Sequence, residues 1–179
     1  MARDLAARGH AVTGLDASPT LLAAAGGADP ASRYVVGPAE ALPFDDGAFD
    51  LVVAYNSLMD VDDMPATVRE AARVLAPGGR FCACVTHPMQ DAASWDQADP
   101  DAPLVITEAY LEQRRMQMRV ERDGLDFTFD GWCLPLEAYA HALEDAGLLI
   151  EAMREPADPT GGRWARVPMF LMWRALKAR

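Results

Sequence analysis

The chain has 179 residues, a length typical of a single domain, and 51% of them are hydrophobic, which suits a packed core. Its 16 basic and 27 acidic residues give a net charge of −11, and a surface this acidic repels nucleic acids and anionic membranes, so neither is an expected partner. No apolar run reaches the ~20 residues of a transmembrane helix and the first residues lack a signal peptide's apolar stretch, which favours a cytoplasmic location.

The pattern along the chain alternates helical and strand segments, as in a parallel sheet covered by helices. We predict these elements in order: helix 2–8, strand 11–15, helix 19–25, strand 34–36, strand 49–55, helix 64–75, strand 80–86, helix 135–146, strand 148–153 and strand 167–173. The Gly26-Gly27 pair is expected to end the second helix, because glycine favours helix ends over helix interiors. Residues 49–55 are the clearest strand, since a nearly unbroken apolar run is typical of a strand covered on both faces.

Three regions give weaker indications. Residues 88–103 are polar, acidic and rich in proline, which predicts a surface segment. Residues 108–122 fit either a helix or a strand. Cys82 and Cys84 lie in an apolar run without further ligands at zinc-site spacing, which predicts buried thiols and no metal.

The last two strands, joined by a Pro- and Gly-rich segment, are predicted to pair antiparallel.

Three segments in this order carry a resemblance to a known family. They are GLDAS at residues 14–18, GPAEALPFDDGAFDLV at 37–52 and ARVLAPGGRF at 72–81. Their order and spacing resemble those of class I S-adenosylmethionine-dependent methyltransferases, and most closely the type 11 branch that acts on small molecules. The resemblance is dense over residues 2–81 and looser over 132–174.

The resemblance implies an α/β fold. It would be a single domain over residues 1–179, with a Rossmann-like sheet, helices on both faces and an antiparallel pair of strands at the C-terminus. The family's first strand and its glycine loop have no counterpart in this sequence, which begins inside the helix that follows the loop. We therefore expect a truncated product, a mis-assigned start or a fragment, in which strands 11–16 and 49–55 lie either apart or directly paired.

The implied activity is transfer of a methyl group from S-adenosylmethionine to an O, N or C atom of a small metabolite. The residues implied to bind the cofactor follow the predicted strands: Asp16, Ala17, Ala39, Glu40, Tyr55 and Asn56. A carboxylate at the end of a parallel strand, as at Asp16, can accept hydrogen bonds from both ribose hydroxyls. Pro38 stands where many relatives have an acidic residue, so adenine recognition would rest on backbone atoms near Ala39 and Glu40 and on packing.

Asn56 and His87 each have two interpretations. Asn56 would bond the amino-acid end of the cofactor or the substrate, or it is an ordinary turn residue. His87 follows strand 80–86 and would act as a general base for a hydroxyl or amine acceptor, or it has a structural role. Methyl transfer can also proceed through proximity and in-line orientation alone, without a dedicated base.

Acceptor recognition is assigned to the segment 88–132, which lies between two stretches that resemble the family. Its candidate wall residues share bulk, aromaticity or charge: Trp95, Tyr110, Arg114 and Trp132. The acceptor itself is expected to be a small molecule.

Two other readings remain open. The chain could be a non-catalytic remnant of the fold that forms a homodimer, because exposed strand edges favour pairing with another chain. A nicotinamide-dependent dehydrogenase would share the strand-end carboxylate of Asp16 but needs a catalytic pair such as Tyr and Lys. The only lysine, Lys177, is almost at the C-terminus, which disfavours that reading.

Overall fold

The computed structural model describes residues 1–96, 98–99, 101–122 and 125–178. The helices are α1 (Ala2–Ala7), α2 (Pro19–Ala28), α3 (Met64–Val74), α4 (Pro88–Asp91), α5 (Leu136–Asp145) and α6 (Arg163–Arg166). The strands are β1 (Thr13–Asp16), β2 (Arg33–Val36), β3 (Phe49–Tyr55), β4 (Leu75–Thr86), β5 (Ala93–Ser94), β6 (Val105–Ile106), β7 (Arg114–Arg122), β8 (Leu125–Cys133), β9 (Leu148–Arg154) and β10 (Phe170–Lys177).

The main sheet has four strands in the order β3-β4-β10-β9. Strands β3 and β4 are parallel, whereas β10 runs antiparallel to both of its neighbours, β4 and β9. The predicted antiparallel pair at the C-terminus is therefore confirmed, although its last strand begins at Phe170 and continues to Lys177. The antiparallel direction places the start of β10 beside the end of β4, where Phe170 pairs with Thr86.

Strands β1 and β2 form a separate parallel pair, with Asp16 opposite Val36. In the described part of the chain β1 pairs with β2 alone and β3 pairs with β4 alone, so β1 and β3 lie in different sheets. This is the first of the two arrangements predicted for these strands. It also explains why β3 is only half-buried at its apolar positions and is not covered as fully as its sequence suggested.

The main core lies between the sheet and two helices, α3 and α5. Its fully buried side chains come from both layers, for example Val68 of α3, Phe81 of β4 and Leu143 of α5. Burying each side chain of this size stabilises the fold by about 1.5–3 kcal/mol relative to leaving it exposed. Tyr139 of α5 packs against Trp173 of β10 with ring centroids 5.4 Å apart, which joins the helix to the antiparallel strand.

Side chains cap the starts of two helices. The Ser18 hydroxyl accepts a hydrogen bond from the Leu21 N–H at 3.3 Å, and Pro19 is the first residue of α2. The Asp63 carboxylate accepts from the Ala66 N–H at 2.8 Å at the start of α3, where a negative charge also interacts favourably with the helix dipole.

The predicted end of α2 is wrong: the helix continues through Gly26 and Gly27 to Ala28. Asp29 then ends it, because its carboxylate accepts hydrogen bonds from the Ala31 N–H and the Ser32 hydroxyl and so fixes the following turn. A short helix tolerates two glycines when a side chain beyond them defines its end, at a cost of about 1 kcal/mol for each glycine.

The segment 108–122, whose sequence fits either a helix or a strand, contributes one strand of a long β-hairpin. Residues 114–122 form strand β7 and pair with β8, a strand that the sequence pattern did not predict. The base of the hairpin packs on the turn after β3, where the backbone N–H of Trp132 donates to the Met59 carbonyl at 2.8 Å. A Cβ on Gly131 would lie 2.8 Å from that same carbonyl oxygen, so the close approach requires glycine. Among the described residues, no helix has the length and apolar character needed to cross a membrane.

Candidate functional site

Asp16 is the last residue of β1 and is half-buried. Its Oδ1 accepts a hydrogen bond from the Ser18 N–H at 2.8 Å, and its backbone carbonyl accepts from the Gly37 N–H at 3.1 Å. An ionised carboxylate has about four acceptor positions, so this one described bond to the side chain leaves capacity for further donors. The turn that Ser18 closes holds the carboxylate at the carboxyl end of the small sheet, while Ala17 beside it is exposed.

The turn after β2 contains Ala39 and Glu40, both half-buried. The Glu40 carboxylate accepts hydrogen bonds from the backbone N–H groups of Asp62 and Asp63, at 3.0 and 3.4 Å. These two groups precede α3, so Glu40 links the turn of the small sheet to the segment that follows β3 in the main sheet. The side chain of Glu40 is therefore engaged in holding the loop.

Residues 42–46 are held against α3 by two side chains. The Glu70 carboxylate accepts from the Leu42 N–H at 2.7 Å, while the Arg73 guanidinium donates to the Leu42 carbonyl at 2.9 Å and to the Phe44 carbonyl at 2.8 Å. Arg73 also donates to Asp46 and to Glu70, both at 2.7 Å. The hydrogen bond from Arg73 lowers the pKa of Glu70 below its ordinary value.

Sequence reasoning included Arg73 in a motif but gave it no role. Its partners in the loop of residues 42–46 lie 27 to 31 residues earlier in the chain, so local spacing does not reveal them. The available signal was weaker: an acid and a base three residues apart on a helix, facing a polar turn.

Tyr55 and Asn56 follow one another at the carboxyl end of β3. Tyr55 is 47% exposed, whereas Asn56 is half-buried and has a backbone φ of 48°, in the left-handed region that Asn tolerates. The Asn56 N–H donates to the Cys84 carbonyl of β4 at 2.8 Å, which fixes the turn. Its side-chain Oδ1 is buried and has no hydrogen-bond partner among the described residues, a state that costs about 1–3 kcal/mol unless a ligand or water supplies a donor.

His87 begins α4 immediately after β4 and is 5% exposed. Its Nδ1 accepts from the Met89 N–H at 3.2 Å, and its Nε2 lies 2.9 Å from the Glu155 carboxylate. These contacts assign the tautomer with the proton on Nε2. Both ring nitrogens are thus engaged, and action as a general base would require one of them to be released. The catalytic role of His87 stays a prediction.

A small cavity lies next to α4. Its lining includes Asp91, Tyr110, Arg114 and Cys133, and its volume of about 10 Å³ is close to the least that holds one water molecule. Burial raises the pKa of Asp91 to about 6, although the nearby Arg114 cation opposes the shift. The Arg114 guanidinium donates to the Asp91 carbonyl, and the Tyr110 hydroxyl accepts from the Leu136 N–H at the start of α5.

The candidate wall residues therefore do not form one pocket. Tyr110 and Arg114 share the small cavity, but Trp95 lies at a second cavity formed with Trp164. Trp132 packs under the Arg115 guanidinium, 4.3 Å from the ring centroid, at the base of the hairpin.

The implied cofactor residues fall into two groups: Asp16, Ala17, Ala39 and Glu40 belong to the small sheet and its turn, and Tyr55 and Asn56 to the main sheet. Glu40 connects the two groups through the start of α3. Within the part of the chain that the structure describes, no group of three or more His, Cys, Asp or Glu side chains is placed to hold a metal ion.

Known proteins resemble this chain in sequence and in fold. A family model described as a methyltransferase domain matches residues 1–83. A demethylmenaquinone methyltransferase from Mycolicibacterium gilvum is 33% identical over 141 residues, which cover 68% of this chain and 61% of that protein. A fatty-acid O-methyltransferase from Mycolicibacterium smegmatis is 34% identical over 111 residues, which cover 62% of this chain and 39% of that protein.

A solved methyltransferase structure resembles this chain in fold. A crystal structure of an S-adenosylmethionine-dependent methyltransferase from Mesorhizobium loti superposes with a TM-score of 0.77 at 24% identity, over 97% of this chain and 84% of the other. The chain spans less than two thirds of the length of either sequence relative. Residues 1–83 of this chain thus match the model of a methyltransferase domain, and the chain as a whole has the Rossmann-like fold of S-adenosylmethionine-dependent methyltransferases.

Proposed function

We propose that this chain transfers the methyl group of S-adenosylmethionine to an O, N or C atom of a small metabolite. The observation that carries the proposal is the Asp16 carboxylate, held by Ser18 at the carboxyl end of β1 with acceptor positions still available. Ligands of open parallel sheets bind at this end of the strands. The match of residues 1–83 to the methyltransferase domain supports the same conclusion.

The residues present fit the cofactor at two polar points. Asp16 would accept hydrogen bonds from ribose hydroxyls, and the buried, unpartnered Oδ1 of Asn56 would accept one from a protonated amino group. Satisfying that buried oxygen removes the penalty that it carries in the absence of a donor. Ala17, the backbone of Ala39 and Glu40, and Tyr55 would complete the walls of this site.

When bound, S-adenosylmethionine supplies an electrophilic methyl group on a sulfonium sulfur. The task of the protein is then to orient cofactor and acceptor and to exclude water, since a well-oriented pair reacts without further assistance. Glu40, Glu70 and Arg73 contribute by holding the turns after β2 in place. His87 would serve as a base only for an acceptor that must lose a proton.

The acceptor class follows from charge and from the relatives. The relatives described above are named for demethylmenaquinone and for fatty acids, both small and largely apolar molecules. The net charge of −11 disfavours a nucleic acid as the methyl acceptor. We assign acceptor recognition to the segment 88–132, whose hairpin base and α4 lie beside the ends of β3 and β4.

Calorimetric titration with S-adenosylhomocysteine tests the proposal. We expect micromolar binding that Asp16→Ala weakens about tenfold or more, because bonds between a carboxylate and hydroxyls are charge-assisted. Asp50→Ala is the matched control, since it removes an exposed carboxylate from β3 away from the strand end. Folded protein that does not bind the ligand, or equal losses in the two variants, contradicts the proposal. Transfer of labelled methyl groups to a panel that includes demethylmenaquinone and a fatty acid then tests turnover.

A second candidate is a non-catalytic module that dimerises. It is favoured by the separation of β1 and β3 into different sheets, which leaves a strand edge on each that a second copy could cover. Light scattering after size-exclusion chromatography would then show a homodimer, and ligand titration would show weak binding or none. Measurable turnover with any acceptor eliminates this candidate.

A further inference from the structure

A second cavity lies between the segment after β5 and α6. Its volume is about 100 Å³, several times the 10–15 Å³ that one water molecule requires. Because α6 precedes β10, whose first residue pairs with Thr86, the cavity lies near the carboxyl end of β4. None of the residues implied to bind the cofactor lines it.

The walls of this cavity are aromatic and aliphatic. Trp95 and Trp164 meet edge to face, with ring centroids 4.9 Å apart, and Leu104 and Val167 complete the apolar lining. Paired tryptophans with open space beside them provide a surface on which a flat apolar group can stack.

The polar side-chain groups of the residues that line this cavity are donors. The Trp95 indole N–H is buried and has no acceptor among the described residues, although buried indole N–H groups ordinarily have one. Arg163 lies over the Trp95 ring, 4.9 Å from its centroid, and Arg166 donates to the Ala102 carbonyl at 3.0 Å. A guanidinium has five N–H donors, so Arg166 keeps others for a ligand.

The charged side chains that line the cavity are all positive. Two guanidinium groups line it, and none of its described lining residues is acidic, in a chain whose net charge is −11. Asp96 and Asp99 lie in the same segment, but their carboxylates accept hydrogen bonds from the Ala98 and Asp101 N–H groups of their own turns. A cationic ligand would meet two positive charges here, whereas an anion would meet donors.

We propose that this cavity binds a small organic anion with a flat apolar body, such as an aromatic carboxylate. The carboxylate would accept hydrogen bonds from the Trp95 indole and from Arg166, and the ring would lie against Trp164 and Leu104. The inference concerns binding by this chain's own side chains and does not depend on the proposed methyl transfer.

Three probes of similar size distinguish the possibilities: benzoate, benzyl alcohol and benzylammonium. The four tryptophan indole N–H groups give separate signals in a nitrogen–proton correlation spectrum, so binding can be assigned to one residue. We expect benzoate to bind with a dissociation constant of about 1 mM, as is reasonable for so small a ligand, and to shift the Trp95 signal downfield. The alcohol and the ammonium are expected to bind at least tenfold more weakly.

Two variants remove the proposed contacts. Trp95→Phe keeps a ring and removes the N–H, and Arg166→Gln removes the charge of an exposed residue, so neither is expected to unfold the chain. Each should weaken benzoate binding about tenfold, since each removes a hydrogen bond to a charged acceptor.

The base of the hairpin offers matched controls. Trp132 also has a buried indole N–H without a described partner and also lies beside an arginine, Arg115, but it is outside this cavity. Trp132→Phe and Arg115→Gln should leave the affinity for benzoate unchanged. The proposal is overturned if benzoate binds no better than benzyl alcohol or benzylammonium, or if Trp95→Phe and Arg166→Gln affect binding no more than the controls.

Discussion

Arg73 and Glu70 lie one helical turn apart on α3, with Arg73 Nε 2.7 Å from Glu70 Oε1, and both side chains reach the backbone of residues 42–46. This pair determines the position of the loop that joins the small sheet to β3. In the proposed cofactor site, the start of the same loop would border the adenine ring. The pair therefore connects the helix next to the main core with the candidate cofactor site.

Removing the guanidinium should loosen this loop. In Arg73→Gln the carbonyls of Leu42 and Phe44 and the Asp46 carboxylate lose their donor, so we expect a lower urea midpoint and weaker binding of S-adenosylhomocysteine. Arg69→Gln, on an exposed position of the same helix, should change neither quantity. If the two variants behave alike, the loop is held by other contacts.

The acid limit of stability should depend on Glu70. Because Arg73 holds the pKa of Glu70 below its ordinary value near 4.5, ionised Glu70 stabilises the fold above that value, and the contribution disappears as the pH falls through the lowered pKa. The free energy of unfolding of Glu70→Gln should therefore be lower than that of the unsubstituted chain at pH 7, with the difference narrowing below about pH 4.5. Urea unfolding from pH 3 to pH 7 checks this, and a difference independent of pH would contradict it.

A methyl group at Gly131 should disrupt the contact between the hairpin and the turn after β3. A Cβ there would lie 2.8 Å from the Met59 carbonyl oxygen and 3.0 Å from the Asp60 carboxylate, closer than such atoms approach without displacement. We expect Gly131→Ala to cost about 1–3 kcal/mol, the usual range for overpacking. Gly27→Ala is the control: nothing lies within 4 Å and the residue is helical, so it should stabilise by about 0.5–1 kcal/mol. Equal effects in urea unfolding would contradict the prediction.

Local chemistry made much of the fold predictable. The caps by Ser18 and Asp63 are local features, because each side chain accepts from an N–H only three residues later. The end of α2 was predicted wrongly, because the turn fixed by Asp29 outweighs the weak helix propensity of Gly26 and Gly27.

Elements that depend on long-range strand pairing could not be predicted from the sequence. Strand β8 contains Asp126, Asp130 and Gly131, residue types that are depleted in strands, and it forms because β7 pairs with it. The candidate site divides in the same way. Asp16 and Asn56 were proposed as site residues from their places at strand ends and stay predictions, but the structural contacts of Glu40 and Arg73 depend on partners more than 20 residues away.

Asp91 should give the chain an unusual pH dependence. Burial raises its pKa from 3.8 to about 6, so the folded state favours the protonated form, and stability falls as the pH rises from about 4 to 6. Asp91→Asn, which stays neutral, should match the unsubstituted chain near pH 4 and exceed it above pH 6 by up to about 3 kcal/mol. Asp50→Asn, at an exposed site, should differ from the unsubstituted chain by an amount that does not change between pH 4 and pH 6. A loss of stability in Asp91→Asn at pH 7 would show that the ionised carboxylate is favoured where it lies.

His87 can be tested for a structural and for a catalytic role with one set of variants. His87→Ala loses both the cap of α4 and the contact with Glu155, and we expect it to destabilise the fold by about 1–3 kcal/mol. His87→Asn keeps a capping side chain and should recover about 1 kcal/mol of that loss. Glu155→Gln keeps an acceptor for the imidazole N–H and should change the stability little, since Glu155 is largely exposed.

Turnover with an acceptor from the methyl-transfer panel then tests the catalytic role. If His87 is structural, His87→Asn should retain turnover within a few-fold. A folded His87→Asn whose turnover falls by about 10²-fold or more would instead identify His87 as a general base.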